Sequence, residues 1–133
     1  GKVSNAEQDK LAGYLSRRRV MVNGAARFGF SMPDAIGRRF ESVLKRIAAG
    51  DMTNSREDLT SAMNDFINLS TACFYDEFTG ALDLGFVKQK MVSMGRSAIL
   101  KGSQSAVAKL FVSMSDDDLK RVCAHYDSMF VKA

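Results

Sequence analysis

Apolar residues recur at helical spacing in four separate stretches, and this constrains the fold more than any other feature of the chain. Ile36, Phe40, Val43, Leu44 and Ile47 form one stripe, and Leu59, Met63, Phe66, Ile67 and Phe74 a second. Leu84, Val87, Met91, Met94 and Ala98 form a third; Leu119, Val122, Cys123, Tyr126, Met129 and Phe130 form a fourth. Steps of three and four residues place each set on one side of an α-helix, where it can be buried against a neighbour. No segment sustains the alternation of a half-buried strand, so the pattern predicts an all-α fold.

Capping chemistry predicts the boundaries. Ser4-Asn5-Ala6-Glu7 has capping-box form and opens a first helix that runs to Asn23-Gly24. Ser31 is the expected cap of a second helix, with Pro33 and Asp34 in its first turn and Gly50 at its end. A third runs from Ser55 to about Phe78, stopped by Gly80. A fourth runs from Asp83 to near Gly102, and a short fifth spans Ser103 to Val112. Ser115, followed by three aspartates that suit the helix dipole, opens the last. Between the first two helices, Phe28 and Phe30 are expected to tuck onto the core. Connectors are short and no repeat or linker interrupts the chain. The expected architecture is therefore a single compact bundle of five to six helices, mostly antiparallel neighbours, in one domain over residues 1–133.

Composition supports an ordinary folded domain. A chain of 133 residues with 46% hydrophobic and 26% charged residues can bury a core without disulfide staples. No apolar run reaches the length that crosses a bilayer, and no signal-peptide pattern marks the N-terminus, where Gly1 reads as a processed or added residue. Cys73 and Cys123 fit no metal spacing. As free thiols they belong to a reducing compartment, which makes the cytoplasm the expected location; a long-range disulfide is the alternative in an exported form.

The run Arg17-Arg18-Arg19 sits inside the first amphipathic segment, and one of the three must meet the apolar face. With Leu11 at 0°, Tyr14 falls at about 300°, Val22 at about 20° and Arg18 at about 340°. A buried unpaired guanidinium is costly, so Arg18 needs either a carboxylate or a path to water. Glu77, an acid on the apolar face of the third helix, is the candidate partner in a buried ion pair. The other solution is a helix that breaks before Val20.

The net charge of +4 is uneven. Residues 1 to 50 carry ten Lys/Arg against four Asp/Glu, and residues 51 to 133 nine against eleven. On the second helix Arg38, Arg39, Lys45 and Arg46 line up away from the apolar stripe with no acid between them, a candidate partner-binding face. Arg17, Arg19 and Arg27 extend that basic character.

Catalytic chemistry is sparse. His125 is the single histidine, it points off its helix's apolar face, and no serine or cysteine stands at a spacing that would make it a base. The adjacent acids Asp76 and Glu77 diverge by about 100° on a helix and cannot share a proton. Ser115 to Asp118 lacks the later glycine and glutamate of a calcium loop. No catalytic residue, metal ligand or cofactor is assigned. Eight methionines are many for this length. Met63, Met91, Met94 and Met129 fit core stripes, while Met32, Met52 and Met114 lie near helix ends, where exposed methionine adapts to helical ligands. These features predict a non-enzymatic protein-interaction module, an adaptor, chaperone-like or regulatory factor, that presents a basic helix face to an acidic protein surface. The alternative is a nucleic-acid-binding or nucleoprotein-associated accessory factor.

Overall fold

The computed structural model describes residues 4–22 and 24–130. It is all-α apart from one small hairpin. The order is α1 (Asn5–Arg18), β1 (Arg19–Val22), β2 (Ala25–Phe28), α2 (Asp34–Ala48) and α3 (Ser55–Thr71). A π-helical turn (Ala72–Asp76) then leads into α4 (Glu77–Gly80), followed by α5 (Phe86–Ser113) and α6 (Asp116–Ser128). The chain divides into two compact units, residues 1–31 with 68–100 and residues 32–67 with 101–133, and two of the boundaries fall inside α3 and α5.

The second unit holds a saturated core. Phe40, Val43, Leu44 and Ile47 of α2 meet Leu59, Ala62 and Met63 of α3, Phe111 of α5, and Leu119 and Cys123 of α6. Leu44, Ile47, Leu59, Leu119 and Cys123 have no exposed surface. Met52 and Met114 pack against this cluster, whereas Met129, expected inside, is exposed. The α6 cap forms as its sequence requires, with Ser115 Oγ accepting from Asp118 N at 3.2 Å. The end of α2 is a Schellman turn: Asp51 N donates to Arg46 O and Gly50 N to Ile47 O, with Gly50 at φ +100°. At its start, Pro33 stands in the cap position without a side-chain bond, so Ser31 lies outside the helix and does not cap it.

The first unit is thinner. Among the described residues only Tyr14, Thr71 and Ala81 are buried in it. Tyr14 packs on Phe78 with ring centroids 5.7 Å apart, and Phe30 meets Phe74 edge-on at 5.4 Å. The side chain of Phe28 lies outside the described residues.

Three expected boundaries differ, each for a local reason. The first helix stops at Arg18 rather than at Asn23-Gly24, because the chain turns back into a two-stranded antiparallel hairpin pairing Arg19 with Phe28 and Val22 with Ala25. Asn-Gly between two short β-branched or apolar runs favours a hairpin, and Gly24 adopts φ +78°, which a side chain resists. Asn23 itself lies outside the described residues. The third helical segment reaches Gly80, but through the π turn. The fourth and fifth expected helices are one 28-residue helix, α5, starting at Phe86 instead of Asp83. Gly102 does not end it, since a glycine terminates a helix by adopting positive φ and Gly102 stays helical.

Candidate docking faces

The stripe predicted on α2 is neutralised by the protein's own acids. Arg39 reaches Asp65 at 2.7 Å and also donates to Ser61 Oγ. Lys45 pairs with Glu41 at 2.7 Å, one turn back. Arg46 pairs with Asp58 and lies 3.7 Å from Asp51. Arg38 stands 3.9 Å from Asp34, and both side chains are largely in solvent. A single-helix projection shows the cations of α2 but cannot show Asp58 and Asp65, which arrive from α3. The stripe is thus a band of ion pairs within the second unit rather than an uncompensated charge.

In the first unit Arg18 and Glu77 are neighbours, Nη2 to Oε2 at 3.7 Å, but Arg17 is the closer partner, its Nε donating to Oε1 at 2.7 Å. Each carboxylate oxygen of Glu77 therefore faces a different arginine. The Arg18 side chain is 13% exposed, its Nε has no hydrogen-bond partner among the described residues, and α1 ends at this residue, so the end of the helix does not release it to water. Tyr14 lies in the same cluster. Burial raises its phenol above the ordinary value, Arg18 opposes that, and Glu77 and Cys73 add to it.

Among the described residues no group of His, Cys, Asp or Glu is placed to hold a metal ion. His125 is exposed beside Tyr126. Cys73 and Cys123 are free thiols, Cys73 half-buried and Cys123 buried. No helix among the described residues is long and apolar enough to cross a membrane.

The largest departure from expectation is on α5. The stripe Val87, Met91, Met94 and Ala98, whose spacing predicts a core face, is in solvent: Val87 is 70% exposed, Met91 65% and Met94 73%, with Phe86 beside them at 74%. The reason lies on the adjoining side of the helix. Tyr75 of the π turn donates its hydroxyl to Val92 O at 2.7 Å, passing so close to Gly95 that a Cβ there would sit 2.6 Å from the tyrosine oxygen. Asp76 grips Arg96 Nε through both oxygens at 2.9 Å. The π turn thus fastens onto the Val92–Gly95–Arg96 side and leaves the more apolar side bare.

The bare face also has an electrostatic character. The first unit carries nine Lys/Arg against five Asp/Glu, and the second ten of each, so the whole net charge belongs to the first. Lys88 and Lys90 flank the apolar stripe; among the described residues neither has a carboxylate partner, and Lys90 Nζ sits 5.3 Å over the Phe86 ring. Residues 86–113 contain no acid at all. No family model, curated protein or solved structure matches the chain.

Proposed function

We propose that the protein is a non-enzymatic interaction module that engages an acidic protein partner, and that its docking face is the N-terminal half of α5 rather than the charged face of α2. One observation carries this reading: Val87, Met91 and Met94 form an apolar row, each more than three-fifths exposed, between lysines that lack carboxylate partners among the described residues. Clustered exposed apolar side chains on a rigid element are costly in water unless something covers them, and such patches mark association sites. Methionine suits that role because its flexible, polarisable side chain adapts to the surface it meets. On α2, by contrast, a partner's acids would have to displace Asp58 and Asp65 from their arginines.

The test is co-purification from the native host. The triple variant Val87→Ser, Met91→Ser, Met94→Ser should lose its associated protein while keeping its circular-dichroism spectrum and melting temperature. Arg38→Glu, which touches only the exposed end of α2, should retain it. Loss with Arg38→Glu and retention with the α5 triple variant would return the site to α2.

The nucleic-acid reading is favoured by a separate feature. Arg19 and Arg27 project from the exposed hairpin with no ion pair among the described residues, and a two-stranded ribbon is a shape that enters a major groove. Anisotropy with duplex and single-stranded oligonucleotides across a salt series tests it, since phosphate binding weakens steeply as salt rises.

A further inference from the structure

We infer that the occupant of the α5 face is an amphipathic helix whose apolar seam is flanked by Asp or Glu, a reading that rests on the α5 face being the docking surface. Three features of the face select this partner. The first is spacing. Taking Val87 as 0°, Met91 falls at about 40°, Met94 at about 340° and Ala98 at about 20°, with exposed Phe86 outside this row at about 260°. Steps of four, three and four residues are the a/d spacing of helix-to-helix packing. The second is charge. Lys90 lies at about 300° and Lys88 at about 100°, one on each side of the seam, at the positions where packed helices exchange flanking ion pairs.

The third is the absence of acids from residues 86–113. A second copy docking through this face would set Lys88 and Lys90 against the same lysines, with no carboxylate on either helix to receive them. Like charges across such a seam select against self-pairing. A partner with glutamates beside its seam relieves that repulsion and brings a complementary field.

The probe is a designed three-heptad peptide with Leu at a and d and Glu at e and g, compared with the same peptide carrying Lys at e and g. The protein is labelled with 13C at its methionine methyls, and Met91 and Met94 are assigned from single Met→Ile variants. The Glu-flanked peptide should shift those two methyl signals saturably and bind roughly tenfold tighter than the Lys-flanked one. The double variant Lys88→Glu, Lys90→Glu should reverse the preference. Equal affinity for both peptides would overturn the acidic-flank assignment while leaving the α5 face as a docking surface. Failure of either peptide to shift Met91 or Met94, with vesicles of phosphatidylcholine and phosphatidylglycerol shifting both, would overturn it in favour of a lipid surface. Silence from every probe would overturn the helical partner, and the co-purification experiment decides separately whether the face docks anything. A dimer in sedimentation equilibrium, lost on Met91→Ser with Met94→Ser, would identify a second copy instead.

Discussion

Glu77 is the residue on which the first unit's internal charge depends. It meets Arg17 and Arg18 with one oxygen each, and its own side chain is 29% exposed. Partial exposure moderates the effect of removing its charge, so Glu77→Gln should destabilise the protein by about 1–2 kcal/mol, read as a lower urea midpoint at unchanged slope. An unchanged midpoint would mean that water already neutralises both arginines. Cys123 behaves in the opposite manner, as an inert group. Burial pushes its thiol from 9.0 up to about 11, so the folded state holds the proton more tightly than the unfolded chain does. That contribution is intact below about pH 9 and is lost as pH rises toward 11, by at most roughly 2–3 kcal/mol. The decline in the urea midpoint over that window should shrink in Cys123→Ala. At pH 8 a thiolate-selective disulfide reagent should modify half-buried Cys73 well before Cys123, and equal rates in the folded protein would contradict the burial.

At the scale of elements, the junction between the π turn and α5 decides which side of α5 is left open. Tyr75→Phe removes the hydrogen bond to Val92 O and should cost about 1 kcal/mol. Gly95→Ala alone places a methyl against the Tyr75 oxygen and should also destabilise. Combined with Tyr75→Phe the collision is gone, and the gain in helix propensity of up to about 1 kcal/mol should make Gly95→Ala neutral or stabilising. A double-mutant cycle by chemical denaturation reads this coupling; simple additivity would show that Tyr75 does not approach Gly95 in solution. The β1–β2 hairpin after α1 shows how far the local sequence reaches. The helical wheel puts Arg18 beside Tyr14, and both are largely buried, although Leu15 on the same face is 55% exposed; the Asn23-Gly24 pair that reads as a helix end is also a hairpin signal. Val20 and Val22 alternate with Arg19 and Met21 over only four residues, too short a run to outweigh the helical pattern before it.

At the scale of the whole molecule, charge is sorted by tertiary unit rather than by chain half. The cations of α2 are matched by acids of α2, α3 and their connector, so Arg39→Glu with Arg46→Glu should destabilise the protein by about 1–3 kcal/mol. Lys88→Glu with Lys90→Glu should shift stability by no more than about 0.5 kcal/mol, because neither lysine holds a carboxylate among the described residues. Thermal melts of the two double variants side by side check the contrast, and the reverse order would mean that α5, not α2, uses its cations to hold the fold. The helices themselves were legible in the residues: Ser4, Ser115 and Gly50 act locally through hydrogen bonds within a few positions, and the apolar period of α2, α3 and α6 describes the second unit's core. The site was not. Periodicity along Val87, Met91, Met94 and Ala98 reveals that α5 has an apolar face, but whether another element covers that face depends on where Tyr75 and Asp76 take hold. Likewise Arg39 and Arg46 read as unmatched until α3 brings Asp65 and Asp58 beside them. Local hydrogen bonding and helical period are encoded within a few residues, whereas burial and charge pairing depend on residues distant in sequence, and for those the packing of the folded chain has the final word.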